Sequence, residues 1–347
     1  MAGGMLAKPA VCHSQRAIAY NVYMPSLTLV IPFALPPQAL ARDLLSQLSL
    51  PALAKLLARA QRKERHDSET FAASLPHEQW LSGQLPDSSP PIAHTLMKAL
   101  DRAPSPGVWF VTQPVHLHIA RDHLVLTDHR RLYLNQNEAQ ELFDSVQPLF
   151  EEQDLELLFG NAHYWFIRAD AWSDFRTCTP DAACGHNIDI WQPSGSAARE
   201  WRRLHNEVQM LWHQHPLNLA REERGELRVN ALWLWGASAQ EPDSAGCQLL
   251  ADAIVQGGEA SSSNNHDWRL INALTPLALA EDWSGWLQQM QQLEALHFAP
   301  ALAQLASGEL EELRLVFSDA KRLEVWSIRR SGMRKFWLSP SLSRLAS

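Results

Sequence analysis

The sequence predicts an α/β protein: a core sheet flanked by helices, with a smaller αβ unit inserted into it. Three observations carry this. The run at 229–236, Val-Asn-Ala-Leu-Trp-Leu-Trp-Gly, lies between polar flanks and has the length and composition of a buried strand. Just before it, Trp201, Leu204, Val208, Leu211 and Trp212 recur at helical spacing across 197–215. Between 105 and 197 the pattern changes to short strands around one helix, as expected of a compact unit with its own sheet. The 229–236 strand is expected near the centre of a mixed or parallel core sheet, with Gly236 turning the chain where it ends. In open α/β sheets, ligands gather at the carboxyl ends of strands.

A chain of 347 residues is long enough for two domains, or for one large domain with an insertion. A formal net charge of −8 argues against non-specific nucleic-acid binding, which needs a basic surface. No apolar run approaches the roughly 20 residues that span a bilayer. No apolar core with a positive flank marks a secretory signal. Cys12, Cys178, Cys184 and Cys247 form no regular framework, which suits a reducing compartment. The expectation is a cytoplasmic protein that uses neither nucleic acid nor membrane as partner. Fourteen tryptophans against four tyrosines read as large core fillers. Residues 1–23 lack periodicity and are expected to be a disordered extension, with Met24 as an alternative start.

In chain order, the β-branched run 26–33 predicts a strand stopped by Pro36 and Pro37. Leucines at 40, 44, 45 and 48 predict a helix over 38–48. Pro51 opens a second helix, 51–60, with Leu53, Leu56 and Leu57 on one face. The charged stretch 61–69 reads as solvated, and 70–103 as helix broken by Pro76, Pro86, Pro90 and Pro91. Short strands follow over 108–134, then a helix over 137–150 capped by Asn135 or Asn137, then strands at 155–159 and 164–168. The stretch 170–197 is a loop rich in Pro, Gly, Asp and Ser. Beyond 236, helices are expected at 248–255, 276–282, 283–296 and 300–306, with a polar loop over 257–266. A hairpin of 311–317 and 322–328 closes the fold.

Several constellations could carry chemistry, and each has a plainer reading. His116 and His118 alternate onto one face of a strand, with His123 beyond a turn; zinc or nickel could use this, but the pair reads more simply as half-exposed strand histidines. Cys178, Cys184 and His186 lack a fourth ligand and the usual shorter spacing of a structural zinc site. Ser194 or Ser196 serves more simply as a helix N-cap than as an anion cradle. Arg329, Arg330, Arg334 and Lys335, beside Phe336 and Trp337, read as a solvated edge.

Three stretches resemble the archaeal-type cofactor-independent phosphoglycerate mutases of the alkaline phosphatase superfamily. The first is Thr177-Cys178-Thr179-Pro180-Asp181, followed by Gly185-His186-Asn187-Ile188 and Pro193-Ser194-Gly195. The second is His215-Pro216-Leu217-Asn218, and the third is Asn230-Ala231-Leu232-Trp233-Leu234-Trp235-Gly236. Gln113-Pro114-Val115 is similar to that family's entry into its insertion domain, and 51–60 to its early helix. The pattern is closer still to a bacterial group of RpfE-type regulatory proteins. The resemblance implies an alkaline-phosphatase-like core, 24–104 and 198–347, interrupted by an inserted αβ domain at 105–197.

The resemblance also implies a site with two divalent metals and a serine nucleophile, and here the chain departs from the pattern. Two metals about 3.5–4 Å apart need several Asp and His ligands grouped at strand ends. The position after the first strand, where the family carries an Asp-Gly motif, reads Val30-Ile31-Pro32-Phe33-Ala34-Leu35-Pro36. In 282–340 only Asp282, His297 and Asp319 are available. The expectation is therefore a non-catalytic or regulatory relative with no catalytic residue, no metal ligand and no cofactor. It would bind a small phosphorylated metabolite or a protein partner in a retained cleft. His118, His186, His215, Asn218, Asn230, Trp235 and Gly236 are the expected ligand-binding residues. The alternative is a metal-dependent phosphotransferase or mutase with an altered site, and only that reading calls for a divalent metal.

Overall fold

The structure, a computed structural model, describes residues 25–69, 71–83, 89–242, 244–262, 267–335 and 337–346. The expected extension at 1–23 lies outside the described residues. The strands are β1 (Ser26–Ile31), β2 (Gln61–Asp67), β3 (Trp109–Val115), β4 (Leu117–Ala120), β5 (His123–Leu126), β6 (Glu156–Phe159), β7 (Trp165–Arg168), β8 (Ala231–Ser238), β9 (Glu259–Ser262), β10 (Asp267–Ile271), β11 (Glu312–Ser318) and β12 (Arg322–Arg329). The helices are α1 (Ala41–Ser46), α2 (Pro51–Arg59), α3 (Pro76–Ser82), α4 (Ala93–Ala99), α5 (Gln136–Glu151), α6 (Pro180–Ala183), α7 (Ala198–His213), α8 (Pro216–Glu223), α9 (Ala245–Gln256), α10 (Thr275–Leu279), α11 (Trp283–Leu293) and α12 (Ala299–Ser307).

A central six-stranded sheet has the order β2-β12-β11-β1-β10-β9. Its middle, β11-β1-β10, is parallel, and β12, β2 and β9 add antiparallel flanks. As expected of a parallel strand buried on both faces, β1 is apolar almost throughout. The closing hairpin β11–β12 forms where the sequence places it. A second, antiparallel sheet has the order β6-β7-β3-β8, and β4–β5 make a small ribbon beside it. Helices α3, α4 and α9 pack on one another, with α3 and α9 against the central sheet and α4 against β3 and β8.

The run read as a central core strand is placed differently. β8 is the edge strand of the second sheet and pairs antiparallel with β3 alone. The misplacement has a physical cause. One face of β8, Leu232 and Leu234, packs into a core with Trp201, Leu204, Val208 and Trp212 of α7; the other, Trp233 and Trp235, joins the main core. An antiparallel strand covered on both sides loses its polar alternation and reads like a parallel one. Gly236 does not end the strand. It sits inside it at φ +70° opposite a register shift in β3, where a Cβ would meet Ile92 Cγ2 at 2.9 Å and Val111 Cγ2 at 3.1 Å. After Ser238 the chain returns to the central sheet at β9. Within α7, Leu211 lies off the buried stripe and is 39 % exposed.

Two strand regions escape the pattern. β2 reads Gln-Arg-Lys-Glu-Arg-His-Asp and is exposed along its whole length. It is a strand because β12 offers it a ladder, and its charges blunt the free edge of the sheet. β9 falls in the stretch read as a polar loop and forms by pairing with β10. Asn135 caps α5 in a capping box with Glu138. Ser196 does not cap α7; its N–H and hydroxyl both donate to Asp174.

Candidate functional site

Two cavities open along the carboxyl edge of the central sheet. The outer one, about 550 Å3, lies beyond β1 and β11, over Phe33, Leu35 and Trp283. Four of its charged side chains, Arg65, Asp67, Asp319 and Arg322, are already engaged. Arg65 Nε donates to Asp67 Oδ2 at 3.1 Å. Asp319 Oδ1 accepts from the N–H groups of Lys321 and Arg322, each at 2.8 Å. Arg322 Nε lies 3.5 Å from Asp319 Oδ2.

The inner cavity, about 490 Å3, lies beyond β10 and reaches between the two sheets. Its wall is built by α3 (His77, Glu78), β3 (Gln113), β8 (Trp235) and α9 (Leu250, Ala253). Side chains alternate along β3, so Gln113 shares the face of Val111 and Val115 and turns away from the α7 side. Register places Gln113 opposite Trp233 and Val111 opposite Trp235, which makes Gln113 and Trp235 diagonal neighbours on one face.

Several buried polar atoms of this wall have unfinished hydrogen bonding. His77, Gln113 and Trp235 are 3 %, 1 % and 3 % exposed. Yet His77 Nδ1, both amide atoms of Gln113 and Trp235 Nε1 have no hydrogen-bond partner among the described residues. Each buried unpartnered group of this kind costs about 1–3 kcal/mol.

Beside it lies a network of charges. Arg130 donates through Nη1 to Asp128 Oδ1 (2.9 Å) and through Nη2 to Asp181 Oδ2 (2.6 Å). Burial alone would raise the Asp181 carboxyl, but Arg130 and His129 hold it below its ordinary value. Burial lowers His77 to about 4, and burial together with the Arg130 guanidinium lowers His129 to about 4. Burial likewise lowers His163. Burial, reinforced by the Asp181 carboxylate, raises Glu78 to about 8. Glu78 Oε2 accepts from Leu75 N–H (2.7 Å) and Thr179 Oγ1–H (2.8 Å). A neutral Glu78 at pH 7 therefore carries its proton on the other oxygen. At the rim stands Tyr133, 83 % exposed, with its backbone in the left-handed region at φ +48°.

Of the residues expected from the sequence, Trp235 reaches the inner cavity and His186 the outer one, where it stacks on Trp191 at 6.2 Å. The others hold the chain together. Asn218 bonds the carbonyls of Trp212 and Val229 and accepts from Val229 N–H. Asn230 clamps both backbone groups of Leu117. His215 caps α8 by accepting from Leu217 N–H at 3.3 Å. His118 sits on the outlying ribbon against Thr127, with His116 stacked 6.5 Å away. Gly236 gives its N–H to Ser89 Oγ. His77, Glu78, Gln113 and Arg130 were not read as site residues. The available signal was the amide of Gln113 inside a largely apolar strand, Trp-Phe-Val-Thr-Gln-Pro-Val.

No family model matches the chain. A probable 2,3-bisphosphoglycerate-independent phosphoglycerate mutase of Geobacter sulfurreducens is 25 % identical over 133 residues, 38 % of this chain and 33 % of the relative. The 2,3-bisphosphoglycerate-independent phosphoglycerate mutase of Methanosarcina mazei is 26 % identical over 175 residues, 45 % of this chain and 44 % of the relative. The chain is distantly homologous to the cofactor-independent phosphoglycerate mutases. Its matches span less than half the length of these curated relatives. A solved structure from Pyrococcus horikoshii shares the fold, with a TM-score of 0.50 at 12 % identity, covering 88 % of this chain and 87 % of that one. The fold is the expected mixed α/β class, a central sheet flanked by helices. Among the described residues no helix is long and apolar enough to cross a membrane.

The mutase-like fold implies a pair of divalent cations beyond the first strand. Here that position is occupied by Phe33, Ala34 and Leu35, all buried and apolar. The nearby Asp319 spends one carboxylate oxygen on backbone N–H groups. Among the described residues no group of three or more His, Cys, Asp or Glu side chains is placed to hold a metal ion. The inner cavity's Asp181 already shares Arg130 with Asp128, and the guanidinium charge would oppose a cation. These donors do not fit a two-cation centre.

Proposed function

We propose that this protein is a regulatory, non-catalytic relative of the phosphoglycerate mutases that binds a small polar molecule in the inner cavity. The observation that supports it best is the set of buried, unpartnered polar atoms on His77, Gln113 and Trp235, all on one cavity wall. A fold retains unpaired buried groups at a cost, and a ligand that pairs with them offsets that cost. In this reading the protein has given up metal-dependent phosphoryl transfer and works without a cofactor in the cytoplasm, as the resemblance to RpfE-type regulators implies.

The test combines two measurements on the purified full chain. Elemental analysis and a mutase and phosphatase assay with added manganese, magnesium or zinc should give no stoichiometric metal and no turnover. Native mass spectrometry of protein isolated from its own cells should show a small molecule that leaves on denaturation. Turnover that scales with bound metal would instead establish the phosphotransferase reading.

A further inference from the structure

We infer that the inner cavity recognises an uncharged, planar ligand offering an adjacent hydrogen-bond donor and acceptor, the cis-amide edge found in nucleobases and carboxamides, and not a phosphorylated one. This rests on the binding reading above and names the chemistry of that same site.

The amide of Gln113 decides the edge. Its Nε2 donor and Oε1 acceptor are both buried and both without partner. A primary amide presents them side by side, so its best complement is an acceptor and a donor side by side in one plane. Trp235 Nε1–H adds a donor on the same face, and His77 Nδ1 a further buried polar atom. A lone phosphate could accept from Trp235 and Gln113 Nε2, but it would leave Gln113 Oε1 facing an anion.

Charge points the same way. At neutral pH the wall holds one guanidinium, Arg130, against one carboxylate, Asp181, and Arg130 is also paired to Asp128. His77, His129 and His163 have their protonation pushed below the neutral range, and Glu78 is held neutral. The cavity lining therefore carries no excess of positive charge, and both Nη groups of Arg130 are already spent on carboxylates. Phosphate sites need the opposite balance.

Tyr133 accounts for planarity. A tyrosine at positive φ costs conformational free energy, and here that backbone holds an aromatic ring on the cavity rim, largely in solvent. A ring so placed can cover a flat ligand, as aromatic side chains do when they stack on bases.

The test is titration calorimetry of the full-length protein with uracil, adenine and nicotinamide in one arm, and 3-phosphoglycerate and inorganic phosphate in the other. At least one neutral probe should bind, and both anions should not. Gln113→Met, similar in shape but without the amide, should weaken the neutral probe about tenfold or more while the protein stays folded by circular dichroism. Tyr133→Ala, at an exposed position that leaves folding intact, should weaken it by a smaller factor. Binding of an anion with none of the neutral probes would overturn the inferred ligand class and leave the binding reading standing. If no probe binds, the inferred class falls; if native mass spectrometry also finds no small molecule, the binding reading falls with it.

Discussion

The two cavities lie on the same edge of the same sheet, and they treat their polar groups in opposite ways. In the outer cavity Arg65 is matched to Asp67, and Asp319 caps its own turn and faces Arg322. These groups serve the fold. In the inner cavity the amide of Gln113, the indole N–H of Trp235 and a ring nitrogen of His77 are buried and left open. The teaching of the contrast is that the charged residues of a cleft say less about its purpose than what remains unpaired. By residue type alone the outer cavity, with Arg65, Lys321, Arg322 and His186, is the more suggestive of phosphate. By pairing, the inner cavity is the one we propose for a ligand.

The largest expected effect breaks the one fully paired cluster of the inner cavity. Arg130→Met leaves Asp128 and Asp181 facing each other's charge while only 8 % and 13 % exposed. Removing one partner of a buried ion network costs about 3–5 kcal/mol. Urea denaturation should show a loss of that size at pH 7; a loss below about 1 kcal/mol would mean the cluster is far better hydrated than its burial suggests.

Next in size is a pH effect with a fixed sign. The folded state raises Glu78 from 4.5 to about 8, so it binds a proton that the unfolded chain has released across that window. Stability from Glu78 is therefore complete below 4.5 and falls as pH rises towards 8. His77 and His129 act at the other end: lowered from 6.5 to about 4, they withdraw stability as pH falls through that window. Glu78→Gln still accepts the bonds from Leu75 and Thr179 but cannot ionise. Relative to wild type it should gain about 1.4 kcal/mol per pH unit between these limits, then level off. A wild-type-to-variant difference that stays flat from pH 5 to 8 would show that Glu78 is ionised throughout.

Gln113→Met sharpens the comparison more directly. If the amide is unpaired for the sake of a ligand, an apolar replacement of similar shape should stabilise the free protein by about 1–3 kcal/mol while weakening binding. A destabilised variant would mean that ordered water already satisfies the amide.

How much of this was legible beforehand follows from the same physics. β1, the hairpin β11–β12, α5 with its Asn135 cap and the buried face of α7 were readable because local pattern and final burial agree. β2 was not, because its strand state comes from a partner 255 or more positions along, Arg322 opposite Asp67, and not from its own charged residues. β8 was recognised as a strand and put in the wrong sheet, since burial on both faces hides whether its neighbours are parallel. The motif residues Asn218, Asn230 and His215 proved to be backbone clamps and a cap. Only Trp235 among the named residues enters the inner cavity. Gln113, His77 and Arg130 come from three separate parts of the chain, and pairing, or its lack, is a property that no single stretch displays.

The smallest expected effect closes the comparison from the outer side. Asp67→Asn removes the carboxylate that Arg65 holds at 3.1 Å, but Asp67 is 63 % exposed and Arg65 also lies 3.7 Å from Glu324. Surface pairs of this kind contribute about 0–1 kcal/mol. The variant should therefore shift the urea midpoint little, shift it less still at high salt, and leave binding of any inner-cavity ligand unchanged. If Asp67→Asn instead impaired that binding, the two cavities would be coupled across the sheet edge, and the outer one could no longer be read as serving the fold alone.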